Sequence, residues 1–326
     1  MVPGTQAQFG GNFEMRWLAK AALQKALACF PGSEKLNYVL QHRVTKHYPR
    51  NDTDFLHWIN IAAQHCDIFL KYGSVKNLSA ATFYEFGTGW DLLIPLAYYA
   101  FGVDRQILVD IRPLARLELI NDALQRFPVS KGKLEASLNR SLRDLGNRPA
   151  KSISELQQRF GITYLAPRDA RNTGLDPGSI DFISSTATLE HIPTAAIREI
   201  LAECGRILKS GGVVSCRVDM VDHFAYFDPH ISDYNFLKFS DVTWNLVNSS
   251  LLYTNRLRYP DYLRHIKAAG FEVLMEGIDQ PTTADLATLR RLRLACRFRA
   301  GYTLEELGAK RLQVASRKDG SQQATL

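Results

Sequence analysis

The run Tyr84-Glu85-Phe86-Gly87-Thr88-Gly89-Trp90, taken with Ile107-Leu108-Val109-Asp110, constrains the fold more than any other feature of this chain. The aromatic residues ahead of Gly87 spell a short strand, the two glycines a tight turn able to open a helix, and the second run a neighbouring strand that ends in an acid. A strand that bends sharply into a helix beneath a bulky ligand needs positive φ or very close backbone approach, and glycine supplies both without a steric penalty. An acid at the end of the next parallel strand is placed to receive ribose hydroxyls. Together the two segments specify a nucleoside site. A dinucleotide fingerprint is excluded because Leu92 stands where its third glycine would be, and no lysine of the P-loop type follows the turn.

Around this unit the pattern alternates strand and helix. Strand-like runs fall at 82–86, 106–111, 162–165, 180–184, 213–218, 271–275 and 311–316. Between them, Pro113 suits a first helical position ahead of Leu117, Ile120, Leu124 and Phe127. Thr194 is placed to cap a helix carrying Ile197, Ile200, Leu201, Cys204, Ile207 and Leu208, which Lys209, Ser210, Gly211 and Gly212 should terminate. A helix over 259–269 should stop at Gly270, and a basic helix over 286–300 should place Arg290, Arg293 and Arg297 along one side of a leucine stripe. Such alternation implies a mostly parallel sheet covered on both faces. The expected fold is α/β, a Rossmann-like, doubly wound, mostly parallel seven-stranded sheet. An N-terminal helical extension over 1–79 should precede it, built on the stripe Leu56, Ile59, Ala63, Cys66 and Leu70 and a less regular stretch over 13–48. Residues 128–160 and 221–258 exceed what alternation needs and read as lid-like insertions, while the polar tail 317–326 reads as mobile.

Composition sets the class. A chain of 326 residues, 46% of them hydrophobic, can bury one large core without staples. Its five cysteines are scattered and contain no CxxC pair, which argues against a disulfide framework or a zinc knuckle and for a reducing, cytoplasmic setting. No apolar run reaches the length of a membrane span, so integral membrane association is not expected. The 40 Lys and Arg against 33 Asp and Glu give a net charge of +7, consistent with an anionic partner, yet no nucleic-acid module accompanies it and a nucleic-acid role is not favoured. The basic helix reads as a solvated amphipathic element, with an anionic lipid surface or polyanionic substrate as the alternative.

Further motifs follow in order: Arg168-Asp169-Ala170, Ser179-Ile180-Asp181-Phe182-Ile183, Thr188-Leu189-Glu190-His191-Ile192-Pro193 and Gly205-Arg206-Ile207-Leu208-Lys209-Ser210-Gly211-Gly212. With Glu85, Gly87, Gly89 and Asp110, this series over roughly residues 82–220 resembles the class I S-adenosylmethionine-dependent methyltransferases. The departure is Asp91, where that family often has a third glycine; Asp can cap a helix and Pro95 is tolerated in a first turn. The resemblance implies a methyltransferase domain over 80–316 with S-adenosyl-L-methionine as methyl donor. It implies that Asp110 accepts from both ribose hydroxyls, that Asp169 reads the adenine amino group, and that Glu85 orients the loop or the methionine amino end. Thr88, Trp90, Ile111, Arg112, Arg168, Ala170, Ser185 and Thr186 would complete the donor contacts. Outside the motifs the chain is similar to bacterial methyltransferases of polysaccharide or secondary-metabolite assembly.

Methyl transfer from a sulfonium is an in-line displacement, so most acceleration comes from holding acceptor and methyl carbon together in a dry site. A hydroxyl acceptor must also lose a proton, which suits histidine. His191 follows the fourth strand and His223 follows the fifth in Asp219-Met220-Val221-Asp222-His223. The expectation is His191 as a site residue, His223 as the base, and Asp219 beside them. Glu190, His191, Asp219, Asp222 and His223 could also meet a divalent metal, as in methyltransferases with a Glu-x-x-Glu-His pattern, but Ala187 replaces the first Glu and a metal is not favoured. The second insertion interleaves Phe224, Tyr226, Phe227, Tyr234, Phe236, Phe239 and Trp244 with Asp228, His230, Asp233, Asn235 and Asp241, a mixture that can stack on a ring and bond its hydroxyls. Asn255-Arg256-Leu257-Arg258 adds cations for an acceptor carboxylate or phosphate. The expected activity is O-methylation of a small-molecule or glycan hydroxyl, with an RNA or protein methyltransferase and a non-catalytic donor-binding protein as alternatives. A homodimer formed through the N-terminal helices is a further expectation.

Overall fold

The computed structural model describes residues 15–28 and 48–318. Seven strands, β1 (Thr82–Phe86), β2 (Arg105–Val109), β3 (Ile162–Leu165), β4 (Ile180–Thr186), β5 (Leu208–Asp219), β6 (Phe271–Ile278) and β7 (Arg311–Lys318), form one sheet in the order β3-β2-β1-β4-β5-β7-β6. All neighbours are parallel except β7, which runs antiparallel to both β5 and β6. Strand order reverses between β1 and β4, and a crevice opens at the carboxyl ends of the strands at such a switch point.

Eleven α-helices are described: α1 (Met15–Ala28), α2 (Asp52–Tyr72), α3 (Leu93–Phe101), α4 (Leu117–Leu138), α5 (Glu155–Phe160), α6 (Thr194–Ile207), α7 (Asp241–Val247), α8 (Tyr259–Ala268), α9 (Thr283–Arg291), α10 (Cys296–Gly301) and α11 (Leu304–Gly308). One sheet face packs Phe83, Leu108 and Phe182 against Phe55, Ile59 and Phe69 of α2, Tyr98 of α3 and Ile120 of α4. The other packs Tyr84, Ile183 and Val214 against Ile197, Leu201 and Cys204 of α6 and Tyr262 of α8. Because strand side chains alternate between faces, Glu85 shares the α2 face with Phe83. The stripe read at Leu56 to Leu70 thus belongs to a helix that covers the sheet, and among the described residues ahead of it α1 packs instead on the second insertion.

Several local expectations are corrected. Pro113 does not start a helix: residues 113–116 are non-helical, and the Arg116 N–H donates to Trp90 O at 2.8 Å, tying this segment to the glycine turn before α4 begins. α4 continues through Pro128 to Leu138, so the start of the 128–160 insertion is simply helix. The remainder bonds through Arg143 to Ala100 O and Asp104 and through Arg140 to Asp67, at the edge where β2 begins; it does not cover the glycine turn. Thr194 is the first residue of α6, with Pro193 at the cap, and Lys209 to Gly212 lie in β5 because Leu208 already pairs with Ile180. The basic helix is broken at residues 292–295, where Leu292 turns extended and Ala295 N–H donates to Leu237 O at 2.9 Å. The break lets Leu289 and Phe298 both enter one apolar cluster, and it removes the continuous arginine side. Arg317 and Lys318 close β7, while residues 319–326 and the 29–47 part of the irregular N-terminal stretch lie outside the described residues.

The second insertion builds a small core of its own. Phe224, Tyr234, Phe236 and Trp244 are buried with Trp17 of α1, Leu289 and Phe298, whereas Tyr226 and Phe227 stay exposed. Arg256 and Arg258, read as cations for an acceptor, are instead 2% and 0% exposed. Arg256 donates to Phe236 O (2.8 Å) and Phe239 O (2.6 Å) and pairs with Asp241; Arg258 donates to Met220 O (2.6 Å), Leu307 O (2.8 Å) and Ala309 O. A planar guanidinium, with five N–H donors in a fixed fork, satisfies several converging carbonyls at once. Arg258→Ala should therefore lower unfolding free energy by about 3 kcal/mol in urea titrations, since three buried carbonyls lose their donors. A loss below about 1 kcal/mol would deny Arg258 this role.

Candidate active site

The glycine turn is fixed by what surrounds it. Gly87 has φ +73°, its N–H donates to Val109 O at 2.9 Å, and a Cβ there would stand 2.1 Å from Thr188 Cγ2. Gly89 has φ +72° and a Cβ on it would meet nothing within 4 Å, so its open side is free to receive a ligand. Asp91 lies one residue before the cap of α3, which is Leu92: its Oδ1 accepts from Leu93 N at 3.2 Å, and its Oδ2 pairs with Arg50 at 2.5 Å.

Asp110 stands one residue beyond β2, 6% exposed, with Oδ1 accepting from Arg112 N at 3.1 Å. Burial raises its carboxyl above the usual range, and the N–H groups of Arg112, Gly89 and Thr88 partly offset this, which places the carboxyl against the glycine turn. Ile111 beside it is 62% exposed. Arg168 N–H donates to Asp110 O at 2.8 Å, bringing Arg168, Asp169 and Ala170 to the same rim. The Asp169 carboxylate is gripped by Arg171 at 2.6 and 2.9 Å, which holds it below the usual range. Trp90 stacks near Tyr48 and Arg116. Glu85 Oε2 and Thr88 Oγ1 are buried without a hydrogen-bond partner among the described residues, and burial pushes the Glu85 carboxyl up to about 8, with the Ser184 hydroxyl working against it. Ser185 and Thr186 end β4 inside the protein, and Thr186 Oγ1 faces His65 Nε2 at 3.2 Å.

The turn after β4 joins this rim directly. Thr188 Oγ1 donates to Gly87 O at 3.0 Å, and the short 3-10 turn Leu189–His191 follows. Glu190 is 1% exposed: Oε1 accepts from Asp219 N at 3.2 Å, Oε2 has no partner among the described residues, and burial pushes its carboxyl well above the usual range, Asp219 adding to the effect. His191 and His223 meet edge to face, ring centroids 4.8 Å apart. Their Nδ1 atoms lie 2.7 Å from Tyr253 O and 2.9 Å from Val221 O. A carbonyl can only accept, so each Nδ1 carries the proton and each Nε2 keeps a lone pair. Burial lowers both imidazoles, His191 to about 3, so both are neutral at pH 7. Tyr226 hydroxyl donates to Asp219 Oδ2. Glu190, His191 and His223 can each direct one ligand atom into a space within which these atoms lie 4.8 Å or less apart, wide enough for a divalent cation, while Ala187 contributes none.

Residues 144–216, spanning β3, β4, α6 and the Glu190-His191 turn, match a family model described as a methyltransferase domain. The chain therefore carries a methyltransferase domain, and its sheet agrees with the class I S-adenosylmethionine-dependent methyltransferases that its motifs resemble. Among solved structures it is similar to an S-adenosylmethionine dependent methyltransferase from Mesorhizobium loti (14% identity, covering 80% of this chain and 100% of that one, TM-score 0.43). It is also similar to a SAM-dependent methyltransferase from Methanosarcina mazei (13%, 77% and 97%, TM-score 0.44) and to geranyl diphosphate C-methyltransferase from Streptomyces coelicolor (12%, 90% and 87%, TM-score 0.42). No curated protein matches the chain. No described helix of the methyltransferase is long and apolar enough to cross a membrane.

Tyr253, Asn255 and Tyr262 escaped the sequence reading although all three touch the turn or its clamp, because a bond to a distant backbone carbonyl leaves no local pattern. Glu85 yields a direct test. Its folded pKa of about 8 lies above the unfolded value near 4.3, so ionising it costs the fold; the cost is absent at low pH and grows as pH rises through this interval. Glu85→Gln should match the parent near pH 4 and exceed it by at least about 2 kcal/mol near pH 8 in denaturant titrations, and a constant difference across that range would contradict the assignment.

Proposed function

We propose that the methyltransferase transfers its methyl group to a hydroxyl of a small molecule or glycan. The observation that carries this reading is the pair of Nε2 lone pairs on His191 and His223, whose rings meet edge to face, with His191 on the turn that Thr188 bonds to the glycine loop and His223 beyond β5. In this reading Asp110 grips the ribose hydroxyls, Ile111 offers an apolar surface to the adenine, and Asp169 with Arg168 and Ala170 lies at its edge. Glu85 and Thr88, each with a buried atom lacking a partner among the described residues, face the loop and the amino end of the donor together with Gly87, Gly89, Trp90 and Arg112. Ser185 and Thr186 support the floor of the site from within β4.

The acceptor sits against His191, with its hydroxyl toward His223. A neutral imidazole accepts the hydroxyl proton at Nε2 as the oxygen attacks the methyl carbon, and Asp219 stabilises the imidazolium that results. Exposed Tyr226 and Phe227 supply ring surface for the acceptor, while the other aromatic residues of the insertion form its supporting core. Three buried free thiols, Cys66, Cys204 and Cys216, suit a reducing, cytoplasmic setting. Burial of Arg256 and Arg258 subtracts from the basic surface an RNA substrate would need.

Calorimetry with S-adenosylmethionine and S-adenosylhomocysteine tests the donor half: both should bind, and Asp110→Ala should weaken binding by at least about 1.5 kcal/mol through lost charge-assisted bonds. Unchanged affinity would remove the ribose role of Asp110. Donor consumption against a panel of sugars, phenols and RNA tests the acceptor half. Turnover with a hydroxylated small molecule is expected, lost in His223→Ala with donor affinity kept; turnover with RNA alone, or binding with no turnover on any member, would overturn it.

A further inference from the structure

We propose that Asn255 is the positioning residue of the acceptor site, its carboxamide closing the turn that carries Glu190 and His191. The inference rests on the reading of His191 as an acceptor-facing group.

Asn255 is 8% exposed and lies in the strap of residues 253–258. Nδ2 donates to Leu189 O at 2.7 Å and Ile192 O at 2.9 Å, the two carbonyls that flank Glu190 and His191. Its backbone N–H donates to Glu190 O at 2.9 Å, so three carbonyls of a four-residue turn are held by one residue. Oδ1 accepts from Tyr262 Oη at 2.9 Å and Leu257 N at 3.0 Å. These partners settle the amide orientation, because two carbonyls demand the NH2 group and an N–H demands the oxygen. Asparagine alone among residues of this length offers two donors on one side and an acceptor on the other. Aspartate would set a carboxylate against two carbonyls.

The same strap fixes the ring as well as the backbone beneath it. Tyr253 O, two residues before Asn255, receives the His191 Nδ1 proton and so sets the tautomer that leaves Nε2 free. Trp244 Nε1 donates to Thr254 O at 3.1 Å, and Arg256, held at φ +61°, anchors the strap to Phe236 and Phe239. The aromatic core of the insertion and the imidazole are thereby mounted on one short segment. Asn255 acts through His191.

The experiment reads the His191 imidazole by NMR on uniformly 15N-histidine-labelled full chain at a single neutral pH, with His191→Gln identifying its signals. The parent should show a His191 Nδ1–H proton protected from exchange. Asn255→Ala should speed its exchange at least tenfold or average the two nitrogen shifts toward mixed tautomers, while S-adenosylhomocysteine affinity stays within threefold. Asn255→Asp keeps the acceptors for Tyr262 and Leu257 and serves as the second variant should Asn255→Ala fail to fold; it should show the same loss of protection. An unchanged His191 signal in a folded Asn255 variant overturns the proposal, as does a loss of donor affinity equal to the loss of protection, which marks a general structural role. Failure of the parent to bind S-adenosylhomocysteine would overturn the donor reading instead, because the imidazole signal is recorded without donor.

Discussion

The contact between Gly87 and Thr188 is the constraint on which the site depends. β1 and β4 are neighbours at the point where strand order reverses, so the segments leaving them are forced together above the sheet. The Thr188 side chain occupies the volume a Cβ at position 87 would need, and its hydroxyl bonds Gly87 O. Only a residue at positive φ with no side chain lets the two turns touch. Because they touch, the acid ending β2 and the imidazoles following β4 and β5 belong to one crevice. In the proposed reading, the donor and acceptor halves are then separated by the width of a single turn.

Charge is handled in two opposite ways around this crevice. Arg256 and Arg258 are buried where carbonyls converge, and their donors are consumed by backbone, so they stabilise the strap and the end of β5 and remain unavailable to a ligand. Glu85 and Glu190 are equally buried but each keeps an oxygen without a partner among the described residues, and burial raises both carboxyls. An unsatisfied buried carboxyl costs the fold, and a site that binds a cationic donor is where such a cost is expected to persist. The arginines and the acids thus differ in role while sharing the same exposure.

Legibility in the sequence followed the range of the interactions. The glycine turn, Asp110, the strand order of elements and the Glu190-His191 turn were readable because each is written in consecutive residues with a fixed backbone requirement. Asp91 reads as a substitute cap, whereas the cap of α3 is Leu92 and Asp91, one residue earlier, bonds Leu93 N instead. The misreadings share a cause. Arg256 and Arg258 look like ligand cations in sequence, since nothing local shows that carbonyls of residues 220, 236, 239, 307 and 309 converge on them. Leucine spacing over 286–300 fits an unbroken helix, and the break at 292–295 is imposed by the bond from Ala295 to Leu237, with the packing of Phe298 beyond it. Residues 128–138, read as the start of an insertion, instead continue the preceding helix, which runs through Pro128.

The turn after β4 is held at its base as well as its tip. His65 of α2 places Nδ1 2.8 Å from Ser215 Oγ and Nε2 3.2 Å from Thr186 Oγ1, bridging the ends of β4 and β5 from beneath, and Gln313 of β7 adds a bond to Ser215 at 3.0 Å. Burial lowers this imidazole to about 3, so it stays neutral, with one nitrogen donating and the other accepting. Thr188 hydroxyl bonds Thr186 O as well as Gly87 O, which passes the position of β4 on to the turn. Asn255 then fixes the far end at Leu189 and Ile192. A turn whose first residue, Ala187, sits at φ +49° would relax if either support were missing, since a non-glycine residue holds that conformation only where its surroundings impose it. The position of the His191 Nε2 lone pair is therefore a property of α2 beneath the strand ends and of the strap 253–258 above the turn, which meet at a backbone the ligand itself need not touch.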